Sequence, residues 1–205
     1  MTQPGDEEPA DSIRGEYEKH GPAEFYRRFG PDYRNPHEDS VRRSIALALD
    51  RWRPDLSRVL DLAAGSGEAT LALRDLGAGH VDGIDPYTAK AYERRTNRAA
   101  EPLRFEDVAA GALSGRTYTL VVCSFALHLC EPSRLPAVAQ QLSLVGGALL
   151  ILTPHKRPVL KREWGWALQG ERVVERVRAR FYSCATPDRA FTKPADLAPP
   201  EERQS

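Results

Sequence analysis

The chain has 205 residues, enough for one sizeable domain, and its 29 basic residues balance its 29 acidic residues. This balance excludes the strong global field that favours nucleic acid or a membrane surface. No apolar run approaches the roughly 18 residues that a membrane span needs. The three cysteines have neither zinc spacing nor the pattern of a disulfide framework. We therefore expect a reduced, cytoplasmic protein with no metal site.

The two ends of the chain differ in composition from its middle. Residues 1–12 are rich in Pro, Asp and Glu, and residues 186–205 are rich in Pro and polar side chains, so we expect two disordered tails. Residues 13–185 are predicted to form one domain. It begins with helices over 13–53, which form a lid, and continues into a core over 59–156.

The last of the N-terminal helices has a clear start and end in the sequence. Asn35-Pro36 reads as an N-cap followed by proline at the first helical position. Apolar residues recur at helical spacing from there to about Trp52, and Pro54 stops the helix before the first strand.

From residue 59 onward, short apolar runs alternate with helical patterns. The predicted strands are Val59–Leu62, His80–Asp85, Leu103–Val108, Thr119–Ser124 and Ala148–Thr153, and the predicted helices are Glu68–Leu76, Thr88–Arg98 and Ser133–Val145. This alternation predicts the α/β class: a doubly wound, mostly parallel Rossmann-like sheet with helices on both faces and an N-terminal helical lid.

An arginine-rich segment lies within residues 172–180. Apolar residues alternate there with Arg176, Arg178 and Arg180, which is strand periodicity with a basic outer face. We expect an edge strand that its charges protect from pairing with other chains. An acidic substrate or RNA is the alternative partner, although no aromatic residues interleave as they do in single-strand binders.

The chain is organised around residues 59–70, which read V-L-D-L-A-A-G-S-G-E-A-T. A buried strand, a glycine turn and a helix start bring backbone N–H groups and the positive helix end together, as at nucleotide-type sites. In the dinucleotide fingerprint a small residue stands where this chain has Thr70. Asp61 is also an awkward neighbour for pyrophosphate, so a cationic ligand fits better.

Polar residues follow the other predicted strands, at the end of the sheet where ligands of open α/β sheets bind. Asp85 closes the second strand in G-I-D-P-Y, at about the spacing from Asp61 that an acid on a ribose requires. Its alternative role is to cap the next helix. Asp107 follows the third strand, where it is placed to accept from an adenine amino group, and Ser124 ends the fourth.

The stretch resembles motif I of the class I S-adenosylmethionine-dependent methyltransferases, acid-x-Gly-x-Gly-x-Gly. Asp61, Gly65 and Gly67 match this motif, and Ala63 replaces its first glycine. The resemblance extends to about Thr153 through G-I-D, E-D-V and V-V-C-S-F-A-L-H-L. It implies S-adenosyl-L-methionine as cofactor, with the methionine part near the glycine turn, the ribose near Asp85, and the adenine beyond. The implied cofactor-binding residues are Asp61, Ala63, Gly65, Gly67, Asp85, Pro86, Asp107, Val108 and Ser124.

Methyl transfer from this cofactor depends mainly on holding the nucleophile, methyl group and sulfur in line. A general base is needed only if the nucleophile carries a proton at neutral pH. His128 and His155 are the candidates, and His37 is a third. Tyr26 and Tyr33, together with His37, are predicted to face the substrate. A structural role for each histidine and a core role for the tyrosines are the alternatives.

The sequence thus predicts an enzyme that transfers a methyl group from S-adenosylmethionine to a small-molecule acceptor by in-line displacement. The neutral charge and the lack of an added recognition domain favour this over nucleic acid, and Ser124–Leu127 stand where a D/N-P-P-Y tetrad would mark amino-nitrogen methylation. A catalytically silent S-adenosylmethionine-binding regulatory or partner subunit is the alternative. An NAD-dependent oxidoreductase fits less well, because of Asp61 and Thr70. Oligomeric state is left open.

Overall fold

A six-stranded sheet with helices on both faces accounts for most of residues 34–185, the part of the chain described by the structure, which is a computed structural model. The predictions for the two tails, for the lid up to residue 33, and for Tyr26 and Tyr33 lie outside the described residues. Within residues 34–185, no helix has the length and apolar character needed to cross a membrane.

The elements follow one another largely in the predicted order. The helices are α1 (Glu38–Trp52), α2 (Glu68–Asp75), α3 (Ala89–Thr96), α4 (Phe105–Ala109) and α5 (Leu135–Val145). The strands are β1 (Val59–Leu62), β2 (Val81–Ile84), β3 (Tyr118–Ser124), β4 (Gly146–Thr153), β5 (Trp166–Val174) and β6 (Val177–Cys184). In the sheet they stand in the order β2-β1-β3-β4-β6-β5. The first four are parallel, and β6 is antiparallel to both of its neighbours. The α/β class is confirmed.

Helices cover both faces of the sheet. Successive strand residues point to opposite faces, so each strand contributes to both apolar clusters. Leu60 of β1 packs in one apolar cluster with Val108 of α4 and Val138 of α5. Val59, its neighbour in the chain, packs in a second cluster with Ile45 of α1. A sheet covered on both faces explains why its central strands read as continuous apolar runs.

The predicted third strand, Leu103–Val108, is wrong. Its residues from Phe105 onward belong to α4, and the parallel bridge to Ile84 of β2 is made by Glu101, before the stretch begins. The physical reason is a cap: the carboxylate of Asp107 accepts the backbone N–H of Arg104 at 2.8 Å, which fixes the first turn of a helix.

The predicted edge position of the arginine-rich strand is also wrong. β6 lies between β4 and β5, and the outer strand is β5. The two strands form a hairpin whose turn residues, Glu175 and Arg176, both have positive φ angles, 49° and 69°. Two positive φ values in a two-residue hairpin turn are the pattern of a type I′ turn.

The basic outer face predicted for this segment does not include Arg180, which is only 3% exposed. Its Nε donates to Glu171 Oε2 on β5 at 2.6 Å. Its two Nη atoms donate to the carbonyl oxygens of Pro158 and Lys156, at 2.8 and 2.7 Å. Arg180 therefore ties the β5–β6 hairpin to the segment that leaves β4.

We expect Arg180→Met to lower the free energy of unfolding by about 2–3 kcal/mol, because two carbonyl groups lose their buried donor and Glu171 keeps only its ion pair with Arg178. Urea unfolding would measure the loss. Arg172→Met is the matched control, since Arg172 lies exposed on β5 and its replacement should change stability by no more than about 0.5 kcal/mol. Equal losses in both variants would contradict the structural role of Arg180.

Candidate functional site

A cavity of about 360 Å³ opens at the carboxyl ends of β1, β2 and β3. Ala63 and Gly65 form the wall after β1, Asp85 and Pro86 that after β2, and Ser124 that after β3. The chain runs from β1 to β2 on one side and later returns to β3 on the other. Ligands of doubly wound folds bind at such a switch point, and the volume is within the range of small-molecule sites.

Asp85 joins the glycine turn to the start of α3. Its Oδ1 accepts the backbone N–H groups of Tyr87 and Thr88 at 2.8 and 3.0 Å, and its Oδ2 accepts that of Gly65 at 3.1 Å. The Thr88 hydroxyl in turn donates to the Gly65 carbonyl at 2.6 Å. Asp85 thus fixes the turn that precedes α3, whose N-cap is Thr88, and it also lies on the cavity wall.

Asp61 lies fully buried beneath the turn rather than on the cavity wall. Its Oδ2 accepts a hydrogen bond from the Thr70 hydroxyl at 2.7 Å, and its Oδ1 has no hydrogen-bond partner among the described residues. Burial raises the pKa of this carboxyl to about 7, and the nearby Glu68 and Asp85 carboxylates add to the rise. Thr70, a poor fit to the dinucleotide fingerprint, is therefore the partner of the buried acid.

We expect the unfolding free energy of the wild type to decline between about pH 4 and pH 7 relative to Asp61→Asn. In this window the carboxyl ionises in the unfolded chain but stays protonated in the folded one, so the folded state binds more protons and loses stability as the pH rises. The wild type should lose about 2–4 kcal/mol more than the variant by pH 8. Urea titrations without ligand at three pH values would measure this, and parallel curves would contradict it.

The glycine turn adopts left-handed backbone conformations at three positions. Ala63, Gly65 and Gly67 have φ angles of 57°, 55° and 89°. A Cβ on Gly67 would overlap the Thr96 methyl group and stand 3.3 Å from Tyr92 Cδ2. Gly67 is therefore required by the packing of α3 against the turn, and it does not line the cavity. Ala63 accepts a conformation that costs a non-glycine residue about 1–2 kcal/mol.

Glu68 is a cavity-wall residue that the sequence analysis did not single out. It is 4% exposed, and its Oε1 accepts from the Asn35 backbone N–H and from Arg95 Nη1, both at 3.1 Å, and from the Ser66 hydroxyl. Arg95 Nη2 also donates to Glu38 Oε1 at 2.5 Å. This network fixes α1 against the glycine turn. In the sequence this network is marked by Glu68, the acid that directly follows Gly67.

The start of α1 differs slightly from its prediction. The helix begins at Glu38, and Asn35 Oδ1 accepts the His37 backbone N–H at 2.8 Å instead of capping a helix that starts at Pro36. The His37 ring stacks on Phe125, with centroids 5.4 Å apart. Asn35 and Phe125 both line the cavity, so the segment that leads into α1 contributes to its wall.

The two residues predicted to meet an adenine, Asp107 and Val108, make other contacts. Asp107 is engaged with the Arg104 backbone, and Val108 is buried in the core, so neither lines the cavity. The neighbouring Phe105 and Glu106 do. In the helical turn it is Glu106, and not Asp107, that faces the cavity.

The two candidate bases lie side by side, away from the cavity wall. The His128 and His155 ring centroids are 4.4 Å apart, with 52° between the ring planes. Burial, reinforced by His155, lowers the pKa of His128 to about 4, so His128 is neutral at pH 7. Its Nδ1 is buried without a hydrogen-bond partner in the described part of the chain. Residues 34–185 contain no cluster of three or more potential metal ligands.

Comparison with known proteins identifies the family. Residues 59–145 match the family model described as "Methyltransferase domain". An uncharacterized protein of the fission yeast Schizosaccharomyces pombe is 32% identical, in an alignment that covers 83% of this chain and 91% of the relative. The chain belongs to the class I S-adenosylmethionine-dependent methyltransferases. The model match ends with α5, so the strands after it lie outside the matched methyltransferase region.

Solved structures share the methyltransferase fold. Magnesium protoporphyrin IX methyltransferase (ChlM) from Synechocystis PCC 6803, with bound SAM, is 17% identical and superposes with a TM-score of 0.51 over 87% of this chain and 98% of its own. The PH0226 protein of Pyrococcus horikoshii OT3 is 15% identical, with a TM-score of 0.56 over 76% and 95%. At these identities the likeness is one of fold.

Proposed function

We propose that this methyltransferase-family protein transfers a methyl group from S-adenosylmethionine to a small-molecule acceptor by in-line displacement. The observation that carries the proposal is the cavity at the switch point of the sheet, bounded by the turn at Ala63–Gly65 and by the carboxylate of Asp85. Its position and its volume of about 360 Å³ suit a nucleoside joined to a short polar chain.

The residues present fit that cofactor. Asp85 presents a carboxylate on the cavity wall, where a ribose diol can donate to it, and Leu103 and Phe105 provide apolar wall for a base. The buried Oδ1 of Asp61 lacks a partner, and a cationic ligand nearby would stabilise its ionised form. When bound, S-adenosylmethionine supplies an activated methyl group.

The chain's own residues would then orient the acceptor and enclose it beside the cofactor. Ser124 and Phe125 line the cavity at the end of β3, and the His37 ring, just before α1, supports this wall by stacking on Phe125. We propose that the acceptor enters on this side, facing Tyr26, Tyr33 and His37. His128 and His155 remain the proposed bases. Neither ring lines the cavity, and the lowered pKa makes His128 a weak base, so in this proposal the acceptor's proton reaches the pair through an intervening group.

A small acceptor in a reducing compartment is supported by two further observations. The net charge is balanced, so no broad basic field is present to attract nucleic acid. Cys123, Cys130 and Cys184 are all free, as is usual in the cytoplasm. The cofactor-binding residues that the family resemblance implies remain part of the proposal. In it, Asp107 and Val108 do not touch the cofactor but hold α4, which carries Phe105 and Glu106, in place.

Calorimetric titration with S-adenosylhomocysteine tests the proposal, with NAD as the control ligand. We expect micromolar binding of the first and none of the second. A radiolabelled methyl-transfer assay against a panel of small acceptors follows. Tighter binding of NAD would overturn the cofactor assignment. S-adenosylhomocysteine binding without transfer to any acceptor would instead favour the silent regulatory subunit.

A further inference from the structure

One wall of the cavity carries a guanidinium with few partners. Arg134 Nη1 stands 3.6 Å from Glu106 Oε1, and Nη2 stands 3.7 Å from Glu131 Oε2. These ion pairs are too long to be hydrogen bonds. The Arg134 Nε is buried and has no hydrogen-bond partner within residues 34–185. All three side chains line the cavity.

The backbone of Arg134 is held firmly. Its N–H donates to the Glu131 carbonyl at 2.9 Å, and its carbonyl accepts from Val138 at 3.1 Å at the start of α5. The helices α4 and α5 pack in the same core cluster, so Glu106 and Arg134 keep their relative positions. The side chain itself is 37% exposed, so its Nη atoms can turn to donate to a molecule in the cavity, which would supply the hydrogen bonds that the two long ion pairs leave unmade.

The surroundings indicate what that molecule is. The adjoining wall is apolar, with Leu103, Phe105 and Leu129, and suits a flat ring. A free anion fits poorly, because the carboxylates of Glu106 and Glu131 flank the guanidinium. A neutral heterocycle with both ring acceptors and an amino donor matches a guanidinium beside a carboxylate. Adenine has that combination.

We propose that Arg134 is a specificity-determining residue that donates to a ring nitrogen of the cofactor adenine. This inference rests on the proposed use of S-adenosylmethionine. A base whose amino group is replaced by a carbonyl, as in hypoxanthine, presents an acceptor to the Glu106 carboxylate and is disfavoured.

Calorimetry of the full chain with a set of ligands tests the assignment. The ligands are S-adenosylhomocysteine, its 1-deaza, 3-deaza and 7-deaza analogues, and S-inosylhomocysteine; the proteins are wild type, Arg134→Met and Arg51→Met. We expect Arg134→Met to weaken S-adenosylhomocysteine binding about tenfold or more. On the wild type, one deaza analogue should bind more weakly than S-adenosylhomocysteine by a similar factor. On Arg134→Met, the same analogue and S-adenosylhomocysteine should bind equally well.

The control and a second variant keep the result interpretable. Arg51 lies exposed near the end of α1, about 20 Å along the helix from its cavity end, and its variant should bind like wild type. Arg134→Lys replaces the Met variant if the latter unfolds in a urea titration; without the planar guanidinium it should also bind S-adenosylhomocysteine more weakly than wild type and lose little further with that deaza analogue.

The outcomes separate the two proposals. Binding of S-adenosylhomocysteine by Arg134→Met within twofold of wild type, or deaza losses that are equal in both proteins, would overturn the role of Arg134 and leave the cofactor assignment standing. Absence of S-adenosylhomocysteine binding by the wild type would overturn both.

Discussion

Replacing Asp85 by alanine should weaken S-adenosylhomocysteine binding by about 100-fold or more and lower the free energy of unfolding by about 2–4 kcal/mol. The carboxylate accepts three backbone N–H groups, from Gly65, Tyr87 and Thr88, and all three lose their partner together. The glycine turn and the start of α3 then separate, and the cavity loses the wall after β2. Under the proposed function, the ribose loses its acceptor as well.

Calorimetry and urea unfolding measure these two losses separately. Asp85→Asn retains one carbonyl oxygen for the backbone, so its stability should lie between those of wild type and Asp85→Ala, while binding stays weak. Asp75→Ala is the matched control, since Asp75 pairs with Arg42 at the exposed end of α2, where ion pairs contribute about 1 kcal/mol or less. Wild-type affinity in Asp85→Ala would contradict the placement of the ligand in this cavity.

Replacing Gly67 by alanine should lower the free energy of unfolding by about 3–5 kcal/mol, from two sources. A side chain at a φ of 89° is strained, and its Cβ would overlap the Thr96 methyl group at the end of α3. Because Tyr92 lies 3.3 Å from the same point, α3 cannot move aside without disturbing a fully buried ring.

Two further variants divide the loss between its sources. Gly77→Ala has a similar φ of 94° with open space around it, so it reports the backbone strain alone. Thr96→Ser removes the methyl group and keeps the hydroxyl that donates to the Tyr92 carbonyl at 2.9 Å. Added to Gly67→Ala, it should restore about 1–2 kcal/mol. Equal destabilisation by Gly67→Ala and Gly77→Ala would show that packing against α3 is unimportant.

The parts of the fold that the sequence predicted well are those with strong local signals. β1 and β3 are apolar runs that the buried sheet requires, and the glycine turn leads directly into α2 as expected. Asp85 lies on the cavity wall because an acid that directly follows a parallel strand stands at the edge of the sheet where the cavity opens. Such features depend on neighbours along the chain.

The errors and omissions have a common origin in contacts between distant residues. Leu103–Val108 is too short for its sequence pattern to distinguish a strand from a capped helix. The hydrogen bond from the Arg104 N–H to the Asp107 carboxylate stabilises the helix. β5 was missed because an outer strand with Gly170 and Glu171 lacks an alternating apolar pattern. The role of Gly67 depends on Thr96, 29 positions later in the chain, and so could not be read locally.

The turn of the β5–β6 hairpin offers a practical opportunity. Glu175 and Arg176 occupy positions with φ angles of 49° and 69°, for which asparagine and glycine are better suited. Substitution there would raise stability by up to about 1–2 kcal/mol at the opposite end of the sheet order from β1 and β2. A chain stabilised at this turn is a tolerant background, in which damaging replacements around the cavity can be purified as folded protein and their ligand affinities measured.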